Sequence, residues 1–303
     1  MMKGNRPTWR QTLKGWLYVL PMLIIVGTFS IYPIISSLAM SFYTEYNFLT
    51  NEVSALGFDN FTYIFGDEKF RAALVNTLIF VIGVVPLQVV IALGLSVLLN
   101  QIKHLAGIFR SIYFLPFVTS TVAISLVWRW LYNKDVGLLN YLLGFIGIHP
   151  IDWLNDPQFG MLALIILAIW KGLGFNIMLF LVALNNVDEG LYHAARLDGA
   201  GAWSRFWHVT VPMISPMTFL VSVNGVIVNF KVFDEVFALF GGQPGPGNSA
   251  LTMVYYLYRQ FYELNQYGRA AASGVVLFII ILLVTLFQLW WSKKYVHYGK
   301  EIG

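Results

Sequence analysis

The chain has 303 residues, of which 58% are hydrophobic and only 11% charged, and its formal charge is +4. Soluble domains average about 45–50% apolar and about 25% charged residues, so water is not the main solvent of this chain. It has no cysteine, which removes disulfides, Cys-ligated metals and thiol catalysis. The basic residues cluster at the ends of apolar runs and do not interleave with aromatics on one face, which argues against a nucleic-acid partner.

Six apolar runs reach the roughly 20 residues that a membrane-crossing helix needs. In chain order they are Trp16 to Phe42, Ala72 to Leu99, Ser111 to Trp130, Phe159 to Leu184, Met213 to Phe240 and Ala270 to Trp291. The expected organisation is an N-terminal segment over 1–15, a six-span domain over 16–291 and a C-terminal tail over 292–303, with membrane lipid as the surrounding solvent. The first run is too long for a signal-peptide core and no small-x-small cleavage site follows it, so it is expected to be retained. Pro21, Pro33, Pro86 and Pro116 fall inside runs. Each removes a backbone hydrogen bond, for kinked packing or for gating.

Orientation follows from Lys and Arg, which favour the cytoplasmic side. With the N-terminus inside, the inner segments hold Lys3, Arg6, Arg10, Lys14, Lys103, Arg110, Arg196, Arg205, Lys293, Lys294 and Lys300. The outer segments hold Lys69, Arg71, Arg129, Lys134, Lys231, Arg259 and Arg269. That is eleven against seven, although the outer segments are longer, so both termini are expected in the cytoplasm. The outer loops over 43–71, 134–157 and 241–267 are long for hairpins and rich in Gly, Pro, Asn and aromatics. They are either connectors or surfaces that receive something from outside.

The stretch Asn185 to Pro212, NNVDEGLYHAARLDGAGAWSRFWHVTVP, falls on the cytoplasmic side of this topology and reads as helix, turn, helix. Asp188 and Glu189 suit a helix N-terminus, where carboxylates meet the positive end of the dipole. Gly199 and Gly201 allow the turn, and Pro212 precedes the fifth span. Leu191, Ala194 and Ala195 share a face whose small side chains let another backbone approach, which suggests a docking element.

His193, Ala194, Ala195, Gly199, Val209, Val211 and Pro212 stand at the spacing of the EAA loop of ABC importer permeases: acid-Ala-Ala, three residues, Gly, nine residues, then Ile-x-Leu-Pro. From about Trp16 to Tyr298 the chain resembles the carbohydrate-uptake branch of that family, of maltose and glycerol-3-phosphate permease type. FRSIYFLPFVTS, WKGLGFNIMLFLVALNNVDEG and NFKVFDEVFALFGGQPGPGNSALTMVYYLYRQ carry the likeness beyond the loop. The resemblance implies an all-α polytopic membrane protein with six transmembrane helices and a cytoplasmic coupling-helix loop, the type I importer permease fold. It implies a bacterial or archaeal cytoplasmic membrane, a second homologous permease subunit, two ATPase subunits that hold ATP and Mg, an extracytoplasmic solute-binding protein and a carbohydrate substrate. Asp188, Glu189, His193, Ala194, Ala195, Asp198, Gly199 and Pro212 become the candidate ATPase-coupling residues. His193 stands where the family usually has Glu, and Asp188 and Glu189 are candidates to supply the missing acid.

No G-x-x-x-x-G-K-[ST] phosphate cradle is present, so energy is expected from a separate subunit, with no cofactor and no metal in this chain. A secondary transporter would couple to ions through intramembrane carboxylates. Asp234 and Glu235 are expected only toward the outer end of span five, which disfavours that alternative. Neither H-E-x-x-H nor G-x-S-x-G occurs, so no catalytic residue is assigned. Lys171, beside Trp170, is charged at mid-span, and such a charge should face protein or water. It is either paired or pore-lining, or it contacts a ligand. By resemblance to the maltose-type permease, Trp170, Lys171, Gly172, Phe175 and Asn229 match sugar-site positions. Sugars need amide or hydroxyl partners and an aromatic face, which Asn229, Asn176, Trp170 and Phe175 offer.

Overall fold

In a computed structural model, residues 9–47, 52–102 and 106–295 are described. Lys3, Arg6, Lys103, Lys300 and the far ends of both terminal segments lie outside them. The described residues are 79% helical. It begins with α1 (Trp9–Val26), a π-helical turn over Gly27–Ile31 and α2 (Tyr32–Met40), then a short antiparallel hairpin of β1 (Tyr43–Asn47) and β2 (Glu52–Leu56). There follow α3 (Asp59–Gly66), the long α4 (Glu68–Gln101), α5 (Ala106–Val118), α6 (Thr121–Leu131), α7 (Leu138–Gly144) and α8 (Pro157–Asn185). The loop elements are α9 (Glu189–Leu197), α10 (Ala202–Arg205) and α11 (Val211–Met213), and the remainder is α12 (Ser215–Phe230), α13 (Asp234–Leu239), α14 (Met253–Tyr258) and α15 (Tyr267–Tyr295).

Among the described residues, four helical segments are long and apolar enough to cross a membrane by themselves: Leu13–Met40, Glu68–Gln101, Pro157–Asn185 and Tyr267–Lys294. Two bent pairs, α5 with α6 and α10–α11 with α12, bring the number to six if each is one span. The third run, read as one span with Pro116 inside it, is broken at Thr119–Ser120 with a bend of 108°. Pro116 withholds one backbone donor shortly before the break, and Ser120, outside helical geometry, starts α6 as its N-cap residue. The fifth run, expected to reach Phe240, stops at Phe230. Lys231 to Phe233 leave the helix, and Asp234 and Glu235 open α13 as its first-turn acids, where the helix dipole favours them. They belong to a second helix and not to the outer end of span five.

The core of the bundle falls into two apolar clusters. The larger is built on Phe80, Val84, Leu164, Leu167, Phe230 and Tyr256; the smaller, nearer the 185–212 loop, on Ala92, Ile177, Phe180, Leu181 and Val221. α4 and α8 form the central pair. α5 reaches α8 at Gly174, where a Cβ would come within 1.9 Å of the Tyr113 carbonyl oxygen, so the glycine permits backbone-to-backbone packing of the kind small residues allow in membranes. Leu13 to Ile25 of the first span lie with their side chains exposed, as suits contact with lipid.

At the end of the bundle opposite the 185–212 loop, polar side chains fasten the connecting segments. Asn60 Nδ2 donates to the carbonyls of Ser41 and Tyr43 at 3.1 and 2.9 Å, and Asn76 Nδ2 to those of Asn248 and Leu251 at 3.0 and 3.1 Å. Tyr256 donates to Asp67 Oδ2 at 2.7 Å; burial, reinforced by that carboxylate, raises the Tyr256 pKa above the usual phenol value. Tyr255 donates to the Gly242 carbonyl at 2.5 Å, and burial pushes its pKa up to about 12. Trp153 Nε1 donates to Asn140 Oδ1 at 3.0 Å, and Tyr132 donates to the Ala163 carbonyl at 2.7 Å. These loops are therefore built structures and not slack connectors.

Candidate functional site

Polar residues on three helices fall in the interval between the two apolar clusters. On α4 the larger cluster ends at Val85 and the smaller begins at Ala92, with Gln88 between them. On α8 the corresponding limits are Ala168 and Ile177, and Lys171, Gly172, Phe175 and Asn176 lie between. On α12, Asn224 and Gly225 separate Val221 from Val226. These residues surround a cavity of about 540 Å³ that also takes in Phe117, Thr121, Asn229, Lys231, Asp234 and Glu235, within the range of small-molecule sites.

Gln88 is buried and committed to the frame. Its Nε2 donates to the Ala168 carbonyl at 2.8 Å, and its Oε1 lies 3.5 Å from Asn176 Nδ2. Gly172 is the partner of this packing, because a Cβ there would sit 2.2 Å from Gln88 Nε2. Asn229 Nδ2 donates back to the Gly225 carbonyl at 2.8 Å, which fixes the amide and leaves its oxygen as an acceptor. The rings of Phe175 and Phe117 stack with centroids 4.9 Å apart and planes 18° from parallel, and both line the cavity. Phe117 comes from α5, just before the break.

Lys171 is tied to both breaks. Its Nζ donates to Thr121 Oγ1 at 2.5 Å, at the start of α6, and to Glu235 Oε1 at 2.7 Å, in the first turn of α13. Pairing and cavity lining thus hold together in one side chain. Five of the six candidate ligand residues meet here: Lys171, Gly172, Phe175, Asn176 and Asn229. Trp170 does not line the cavity. Successive helical residues point about 100° apart, and its ring packs edge-on against Trp128 at 5.5 Å. Gln88, Thr121, Asn224 and Glu235 join the site without being candidates from the sequence. A sequence signal exists for Thr121 and Glu235, in the FVTST and FKVFDE punctuation of otherwise apolar runs.

The 185–212 loop forms a second site at the far end of α8. Asp188 is the N-cap of α9 and accepts from the Gly190 amide at 2.8 Å; Glu189 and His193 are exposed. α9 ends in two paired bonds, Gly199 N–H to the Arg196 carbonyl at 3.1 Å and Ala200 N–H to the Ala195 carbonyl at 2.9 Å. This is a Schellman ending, and Gly199 takes the left-handed conformation it needs, with φ +79. Gly201, at φ −67, adopts backbone open to any residue, so the turn rests on Gly199. Asp198 is the C-cap of α9 and Pro212 sits in the first turn of α11. Tyr192 Oη and Thr210 Oγ1, 3.0 Å apart, connect α9 to the π-helical turn Phe206–Thr210. α9 has no buried residue, and Leu197 and Trp203 are 89% and 73% exposed.

The arrangement defines a class: a multi-pass membrane protein with a cavity among its spans, lined by amides, an ion pair and aromatic rings, and a structured loop whose apolar side chains are uncovered in the single chain. Comparison with known proteins carries this to a family. Residues 61–297 match the family described as binding-protein-dependent transport system inner membrane component, and the chain belongs to it. It is 34% identical over 286 residues to the lactose transport system permease protein LacF of Rhizobium radiobacter, covering 93% of this chain and 95% of the relative. It is 36% identical over 276 residues to the arabinooligosaccharides transport system permease protein AraP of Bacillus subtilis, covering 90% and 87%. Among solved structures, a chain of a bacterial alginate ABC transporter, crystallised with its periplasmic protein bound to an alginate pentasaccharide, superposes with a TM-score of 0.83 at 25% identity, covering 95% of this chain and 98% of that one. Membership of this family displaces the ion-coupled alternative.

Proposed function

We propose that this chain is the membrane subunit of an ABC importer through which a carbohydrate passes from an extracytoplasmic binding protein to the cytoplasm. The observation that carries the reading is the polar layer between two apolar clusters, where fixed amides and a stacked ring pair surround a cavity in an otherwise apolar bundle. Hydroxyls require such donors and acceptors, and sugar C–H faces require such rings. The relatives named for lactose and arabino-oligosaccharides, and the alginate transporter, support the substrate class.

In this reading two ATPase subunits hold ATP and Mg and supply the energy, and a second homologous permease subunit completes the pathway. α9 and the exposed Trp203 region dock on an ATPase subunit. Closure of the ATPases moves α9, whose Tyr192–Thr210 contact passes the motion into α11 and α12. His193, Asp188 and Glu189 face that partner; because Asp188 is occupied as an N-cap, Glu189 is the acid free to pair. The chain itself catalyses nothing. Both termini lie in the cytoplasm, following the Lys and Arg asymmetry.

The test is reconstitution in proteoliposomes with the partner subunits and binding protein. Sugar-loaded binding protein should stimulate ATP hydrolysis and sugar uptake, and Asn229→Leu should cut uptake at least tenfold while the complex still assembles. Uptake that continues without ATP but collapses with an ionophore would overturn the reading.

A further inference from the structure

The charged residues that line the cavity cancel: Lys171 and Lys231 against Asp234 and Glu235. The deeper pair is closed, with Lys171 Nζ 2.7 Å from Glu235 Oε1 and side chains only 17% and 19% exposed. Lys171 directs a second proton to Thr121. An ion pair this short offers a ligand a dipole and hydrogen-bonding edges, not a free charge. The other two, Lys231 and Asp234, are exposed and of opposite sign on the same connection.

We propose that the cavity is matched to an uncharged carbohydrate, and that Glu235 sets this preference by neutralising Lys171. The inference rests on the carbohydrate reading above and names its substrate class. A neutral sugar both donates and accepts at every hydroxyl, and the fixed Asn229 amide and the edges of the ion pair serve both needs. A uronate carboxylate must shed water to enter, finds Lys171 already paired and meets the Glu235 carboxylate beside it, while the exposed Lys231 is offset by the equally exposed Asp234. A charge desolvated without a partner is strongly disfavoured.

The break after Phe230 is what makes this possible. Glu235 lies six residues beyond Asn229, so in a continuous helix it would sit about 9 Å farther along the axis. Because the chain leaves the helix at Lys231 and restarts at Asp234, Asn229 and Glu235 line one cavity.

The experiment uses the chain assembled with its permease and ATPase partners in lipid nanodiscs, with saturation-transfer NMR and competition to rank lactose, maltotriose and arabinotriose against trigalacturonate. At least one neutral sugar should bind to the unmodified chain, and trigalacturonate at least about tenfold more weakly. Glu235→Gln keeps the shape but removes the anion, and should tighten trigalacturonate about tenfold in a manner that added salt weakens. The Lys171→Met/Glu235→Gln double variant should lose that gain. If a neutral sugar binds and is lost in Asn229→Leu, while Glu235→Gln leaves the neutral-to-uronate ratio unchanged, the charge argument is wrong and the carbohydrate reading stands. Binding of no sugar to any of these variants would overturn both.

Discussion

Gly174 offers the sharpest structural test, because it lies where α8 and α5 meet backbone to backbone. A methyl group there would approach the Tyr113 carbonyl oxygen to 1.9 Å, its carbon to 2.7 Å and the Phe114 Cα to 3.0 Å. Nonbonded heavy atoms settle near 3.5 Å, so the carbonyl would be about 1.6 Å too close, and no flexible side chain is available to absorb the overlap. Either the helices separate or the backbone distorts; overpacking of this kind costs about 1–3 kcal/mol. The consequence extends to the cavity, since α5 carries Phe117, and moving it breaks the stack on Phe175, itself worth about 0.5–1.5 kcal/mol. The assay is reversible unfolding of the purified chain in mixed micelles, with Gly174→Ala measured beside Gly94→Ala. Gly94 is exposed on α4, and a methyl group added there would meet nothing within 4 Å, so its change to Ala should be neutral or slightly stabilising through helix propensity. Gly174→Ala should lose about 1–3 kcal/mol. Equal stability of the two variants would refute the close approach of α5 to α8.

Gly199→Val puts a β-branched residue at φ +79, where only glycine is unstrained. It should disturb the Schellman ending of α9 and, in the reconstituted complex, lower sugar uptake per ATP hydrolysed by at least severalfold; an unchanged ratio counts against a coupling role for this turn. Tyr255 provides a pH test. Its folded pKa is raised to about 12 from the ordinary phenol value of 10.0, so its neutral form is the one the fold favours. Its contribution is complete below pH 10 and is lost as the pH rises from 10 toward 12. The stability difference between the unmodified chain and Tyr255→Phe should therefore shrink between pH 8 and pH 11 in thermal melts, and a constant difference would show that the phenol is not held neutral by the fold.

How far the sequence can be read depends on what each signal measures. Apolar length locates residues that prefer hydrocarbon, and it finds the runs that become α4, α8 and α15 within a few residues at each end. Length is blind to direction. The 108° bend at Thr119–Ser120 and the break after Phe230 preserve hydrophobicity while turning the chain, so they show only as local punctuation: Pro116 with Thr119, Ser120 and Thr121, and Lys231 before two acids suited to a helix start. The same blindness hides half of the cavity. Helical spacing places Lys171, Gly172, Phe175 and Asn176 near one another because they share a helix, whereas Thr121 and Glu235 reach Lys171 only because two apolar runs are broken.

That dependence also explains why the breaks and the charge occur together. A mid-span ammonium is costly in hydrocarbon unless it is paired or reached by water, and a straight third and fifth span would bring neither Thr121 nor Glu235 to it. The two breaks supply a hydroxyl and a carboxylate, and in leaving the helix they open the space that the cavity occupies. Pro116 and the polar residues at the two breaks, which look like flaws in an apolar sequence, are thus the means by which a half-buried cation is satisfied. They also place the acceptor amide of Asn229 and the paired rings of Phe117 and Phe175 around the same volume.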